Sequence, residues 1–149
     1  MTRKEIVREL YKERFNCSQR TLSAFCDECN LENEVILKIT SGFGAGMQHG
    51  EVCGAISSAV MVLGLKYGHS AGTDNTSKQK TYNLVQRFHG AFQSVHGSIR
   101  CKELIGLDLA RKEDMEIAKE NNVFQTTCAQ YIDDVVDILE EIIASNDIE

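Results

Sequence analysis

The sequence predicts an all-α fold: a compact single-domain bundle of seven or eight helices, several of them short. Proline is absent from all 149 residues, so no ring forces a helix to kink or stop. Apolar residues recur at three- and four-residue spacing instead of alternating, which is the period of a helix with one buried face. The length suits one domain with a real core, so residues 1–149 read as a single unit.

Thr2 can cap a first helix over residues 3–14, with Ile6, Val7, Leu10 and Tyr11 inward and Lys4, Arg8, Glu9 and Lys12 outward. Asn16 is placed to cap a second over 17–29, burying Leu22 and Phe25. A third over 32–40, with Val35, Ile36 and Ile39, ends at a glycine-rich loop. A fourth covers 52–67. The stretch after Gly68 is a clear long loop, too short for a domain linker. A fifth helix over 75–95 carries Tyr82, Leu84, Val85, Phe88, Phe92 and Val95. Short helices follow at 101–106 and 109–120. The last, over 126–144, has Tyr131, Ile132, Val135, Ile138, Leu139, Ile142 and Ile143 as its stripe.

Residues 41–68 are unusual within this pattern. Gly42, Gly44, Gly46 and Gly50 precede Cys53, and then Gly54, Ala55, Ser57, Ser58 and Ala59 open a helix of small residues. Small side chains let another helix or a bulky group approach the backbone. Gly50, Gly54 and Ser58 are therefore the positions expected to face a bound cofactor.

A net charge of −6 with no basic patch argues against a nucleic-acid surface. The first residues are charged and lack the apolar core of a secretory signal, and no apolar run approaches a membrane span. The chain reads as cytoplasmic, without membrane insertion. Six cysteines stand at 17, 26, 29, 53, 101 and 128. In a reducing compartment such a set points to metal binding or redox work more than to structural bridges, with burial as small core residues the alternative.

Cys17, Cys53, Cys101 and Cys128 each fall in or near the first turn of an expected helix. Free N–H groups and the positive end of the helix dipole stabilise a thiolate there. Cys26 and Cys29 form a CxxC late in the second helix, off the Cys17 face, and Asn30 stands where covalent haem attachment would need histidine. His49 is the histidine nearest Cys53 in sequence. Arg100 adjoins Cys101 and could lower its pKa, and Glu51 could accept hydrogen bonds beside Cys53.

Cys17, then Gly50-x-x-Cys53-Gly54-Ala55 running into Ala59-x-Met61-x-Leu63-Gly64-Leu65, then Cys101 and Cys128, resembles the C_GCAxxG_C_C family of redox-active proteins. The likeness extends from Asn16 to Tyr131 and takes in Ser41-Gly42-Phe43-Gly44 and Gly97-Ser98-x-x-Cys101-x-Glu103-Leu104. Its four characteristic cysteines fall on Cys17, Cys53, Cys101 and Cys128. One departure is Ser58, where the family pattern has glycine. The resemblance implies redox activity without naming a reaction.

Three readings follow. In the first, Cys17, Cys53, Cys101 and Cys128 hold an iron–sulfur cluster for electron transfer, with ligands brought together by the tertiary fold. In the second, the chain is a thiol–disulfide oxidoreductase with Cys53 as nucleophile and another cysteine resolving. In the third, the same four thiolates bind structural zinc. A redox partner protein is expected, and self-association into a homo-oligomer is left open.

Overall fold

The computed structural model describes residues 1–147, which are helical apart from turns, loops and one antiparallel backbone bridge. Among the described residues there are nine α-helices: α1 (Arg3–Lys12), α2 (Cys17–Ala24), α3 (Cys26–Cys29), α4 (Asn33–Ile39), α5 (Gly54–Tyr67), α6 (Asn75–His96), α7 (Cys101–Ile105), α8 (Lys112–Glu120) and α9 (Thr127–Asp147). The all-α expectation holds. The helix expected over 17–29 is two, because Phe25 leaves helical geometry at φ −109°, ψ 21° and restarts the chain as the single turn α3.

Local chemistry accounts for the starts. Thr2 accepts a hydrogen bond from the Glu5 amide and receives the Glu5 carboxylate on its own N–H, a complete capping box for α1. Asn16 and Gln19 make the same reciprocal pair at α2. Asp74 caps α6 by accepting from the Ser77 amide. Gly97 and Gly106, with φ +82° and +71°, close α6 and α7 in the left-handed conformation that glycine adopts without strain.

The main core is built from Leu22 and Phe25 at the α2 end, Ile56, Val62 and Leu63 of α5, Phe88 and Phe92 of α6, and Ile132, Leu139 and Ile142 of α9. On α6 only Leu84, Phe88 and Phe92 are buried, an i, i+4, i+8 seam. Tyr82 is exposed because two residues before Leu84 lies about 200° round the helix. Val95, in the last turn, is also exposed, and on α4 Ile36 alone is buried while Val35 and Ile39 face outward.

A second, smaller apolar cluster joins Cys101, Leu109 and Ala118, with Ala45, Ile105, Met115 and Phe124 packed on it. The two clusters face each other. The space between them is the site described next.

The α2–α5 contact is the most extensive helix pairing, and small residues make it so. Ser58, fully buried, donates to the Ser18 carbonyl oxygen at 2.7 Å, and the two hydroxyls also lie 2.7 Å apart. Serine at this position is thus a polar rivet between helices. Its hydroxyl replaces the hydrogen bonds that water would otherwise supply to buried oxygens.

Candidate functional site

Four helix starts converge on one cavity of about 170 Å³. Cys53 is the residue immediately before α5, Cys17 and Cys101 are the first residues of α2 and α7, and Cys128 is the second residue of α9. All four line the cavity, together with Gly54 and Arg20. The sequence argument from helix starts therefore selects four residues that the fold brings together.

Two local devices set the walls. Residues 51–53 and 99–101 are clamped side by side: the Cys53 amide donates to the Ile99 carbonyl at 2.8 Å, and the Cys101 amide to the Glu51 carbonyl at 2.7 Å. The Arg100 guanidinium closes the clamp from outside by binding both carboxylate oxygens of Glu51 at 3.0 Å. The opposite wall is α2, anchored by Asn16, whose side-chain amide donates to the Ser41 carbonyl at 3.0 Å. Between them the loop turns through Ala45, Gly46, Met47 and Gln48, all with φ between 54° and 61°. Three of these are not glycine, a strained left-handed run that carries the Ala45 N–H toward Cys17.

Cys17 and Cys53 are shifted in opposite directions. The Cys17 thiol is lowered from 9.0 to about 6. The hydrogen bond from the Cys53 thiol is the largest cause; burial opposes it, and the Arg20 charge and the N–H groups of Ala45 and Ser18 add to it. Cys53 moves the other way, well above 9.0, because it donates to Cys17, is buried, and sits beside the Cys17 charge. Burial also pushes Cys101 and Cys128 up to about 12, with the Cys17 charge contributing to both. Of the four, Cys17 is the one whose surroundings favour the thiolate.

Gly54 explains how the sulfur fits. A Cβ on Gly54 would stand 2.6 Å from Cys17 Sγ and 2.8 Å from the Phe43 carbonyl oxygen. The glycine is therefore a seat for the Cys17 sulfur. Gly50 and Ser58, the other two positions expected to face a cofactor, do not line the cavity. Gly50, at φ +66°, lies against Asp108 and Lys102, and Ser58 is the rivet to α2.

Several further expectations find different places. Arg100 does not lower Cys101: its charge is spent on Glu51 and Glu103, and burial dominates the thiol. Glu51 faces Arg100 and Lys102 on the surface. His49 is exposed and outside the cavity lining. Cys26 is exposed, while Cys29 is buried and raised to about 11 by that burial; neither reaches the cavity. Among the described residues no three His, Cys, Asp or Glu side chains are grouped closely enough to hold a metal ion. The four sulfurs nevertheless share one cavity.

Arg20 is the site residue that the sequence reading missed. It lies three positions after Cys17 on α2, a spacing that puts both on one helix face. It is only 5% exposed, and its guanidinium lies 4.9 Å from the Tyr11 ring centroid.

These shifts give stability a defined pH profile. For Cys17 the unfolded chain holds a proton between pH 6 and 9.0 that the folded chain has released, so stability rises with pH across that window. Above 9.0 the sign reverses, because folded Cys101 and Cys128 keep protons up to about 12 that the unfolded chain gives up. Urea midpoints of reduced protein are expected to peak near pH 9. A Cys17→Ser variant should lose the rising limb and keep the falling one.

A family model described as "Putative redox-active protein (C_GCAxxG_C_C)" matches residues 15–142. No curated protein and no solved structure matches the chain. Among the described residues no helix is long and apolar enough to cross a membrane.

Proposed function

Since the chain belongs to the C_GCAxxG_C_C family of redox-active proteins, we propose that it is a dithiol–disulfide redox protein in which Cys17 attacks and Cys53 resolves. The observation that carries this reading is the shared cavity: Cys17 and Cys53 both line it, the Cys17 sulfur lies over Gly54 in the same lining as buried Arg20, and the two thiols are shifted in opposite directions, Cys17 down and Cys53 up. The roles are the reverse of those expected from sequence, where Cys53 was the nucleophile. Tertiary neighbours supply the reason, because the buried Arg20 and the Ala45 N–H favour charge on Cys17.

The step balances with a partner disulfide, R–S–S–R′, as oxidant. Cys17 thiolate attacks one sulfur, the S–S bond breaks, R′S⁻ leaves and takes a proton from solvent, and a Cys17–S–S–R mixed disulfide remains. Loss of the Cys17 charge removes one of the causes that hold Cys53 protonated. Cys53 then attacks Cys17 Sγ, RS⁻ leaves with the proton Cys53 gave up, and a Cys17–Cys53 disulfide is formed. Two electrons have passed to the partner. A thiol reductant, either a redox partner protein or a small-molecule thiol, returns the Cys17–Cys53 disulfide to the dithiol and closes the cycle.

The iron–sulfur reading is favoured by one observation, that all four cysteines line a single cavity. It requires the thiols of Cys53, Cys101 and Cys128, all raised, to ionise, with Cys17, Cys53, Cys101 and Cys128 as ligands. The discriminating measurement is an absorption spectrum with iron, zinc and sulfide analysis on protein purified without oxygen. The dithiol reading expects a colourless, metal-free protein that loses two thiols on mild oxidation, and a Cys53→Ser variant that does not. A brown protein containing iron and acid-labile sulfide would overturn it.

A further inference from the structure

We infer that the thiol-lined cavity is the binding site of a small organic acid, with its acid group on Arg20 and its apolar body against Tyr11, Phe15, Leu104 and Phe124. The inference names the ligand class of the site already assigned to redox work, and it rests on that reading only for what the ligand does after binding.

Arg20 carries the argument. It is 5% exposed, yet among the described residues it enters no salt bridge. Among the described residues its side chain makes one hydrogen bond, from Nε to the Asn16 carbonyl at 3.3 Å. Among these residues the two terminal NH₂ groups have no protein acceptor, although the side chain lines the cavity. Burying a guanidinium is costly unless its donors are used. Among the described residues no Asp or Glu lines the cavity to use them. The Cys17 thiolate offsets the charge but is a point acceptor, whereas a guanidinium presents a flat fork that fits the two oxygens of a carboxylate.

The rest of the lining fits the other end of such a molecule. Besides Arg20 and the sulfurs it is mostly aromatic and aliphatic, the composition of a small-molecule site with a few fixed polar groups. Its volume, about 170 Å³, is that of a ring-sized ligand, since cavities of ~150 Å³ accept benzene. A small acid whose apolar part carries a disulfide would therefore be held by its charge with the S–S bond presented to Cys17.

The test uses benzoate and its uncharged counterpart benzamide, titrated into the reduced full-length protein. Amide chemical shifts of Ala45 and Gly54 report occupancy. Benzoate is expected to saturate these shifts and to bind at least about tenfold more tightly than benzamide. Arg20→Gln should erase that preference, and Arg20→Lys, which keeps the charge but loses the fork, should retain part of it. Equal binding of the two probes, no response at either amide, or an unchanged preference in Arg20→Gln would each overturn the inference. A Cys17→Ser/Cys53→Ser variant cannot cycle and should still prefer benzoate, so loss of redox activity and loss of acid binding are read separately. Wild-type protein that exchanges disulfides but ignores benzoate would sink the ligand class and leave the redox reading standing.

Discussion

Replacing Cys17 by serine should remove the spectroscopic signature of the thiolate and most of the disulfide exchange. The experiment is best made in a Cys26→Ser background, because Cys26 is exposed and would react on its own account. Absorbance at the thiolate band, followed against pH, should show a transition near 6 in the parent and none below 8 in Cys17→Ser. At pH 6 the exchange rate with a small aromatic disulfide should fall by at least about tenfold. The loss is bounded because a less acidic thiol, though rarely ionised, is the stronger nucleophile once it is.

Cys53→Ala tests the other half of the pair. Without the Cys53 donor, the largest cause of the Cys17 shift is gone, and the transition should climb from about 6 toward 9.0. Without a resolving thiol, the Cys17 mixed disulfide should accumulate and be visible by mass. A transition that stays near 6, or a mixed disulfide that clears at the parental rate, would show that Cys53 is not the partner.

The second large effect is expected at Gly54. Alanine there would gain up to about 1 kcal/mol from helix propensity. Its Cβ would also press on Cys17 Sγ at 2.6 Å, on the Phe43 carbonyl oxygen at 2.8 Å and on Ser18 Cβ at 3.2 Å. Overpacking of this kind costs roughly 1–3 kcal/mol or somewhat more, so the clash should win by about 1–2 kcal/mol. The displaced sulfur should also lose its low pKa. Gly64→Ala, on the same helix with nothing within 4 Å of the added carbon, is the internal control and should stabilise by up to about 1 kcal/mol. Urea unfolding of both variants reads the contrast directly. Equal stabilisation of the two would refute the seat assigned to Gly54.

The sequence carries more of this site than of its internal chemistry. Helix starts are local, written in caps such as Asn16 and in the glycines before Cys53, and that is why Cys17, Cys53, Cys101 and Cys128 can be singled out before any fold is known. Which of them ionises is not local. It depends on Cys53 lying against Cys17 and on Ala45 being turned toward it, contacts between segments 28 or more residues apart along the chain. Arg20 was legible in principle, one turn after Cys17, but arginine on a short helix reads as a surface charge until its burial is known. The same limit applies to Ser58 and Gly50. Smallness at both is visible in the sequence, whereas the neighbour that requires it, Ser18 for one and the Asp108 and Lys102 side chains for the other, is set by packing.

The clamp between residues 51–53 and 99–101 has a mechanical consequence for the exchange proposed at Cys53. Paired amides and the external Glu51–Arg100 grip fix the backbones of Cys53 and Cys101 to each other. That wall behaves as the anvil of a vice. Any closure of the proposed pair would then fall to the wall opposite, the first turn of α2, which the single Asn16–Ser41 hydrogen bond tethers. In the proposed exchange the left-handed turn through Ala45–Gln48 is the strained link between the clamped wall and the wall opposite.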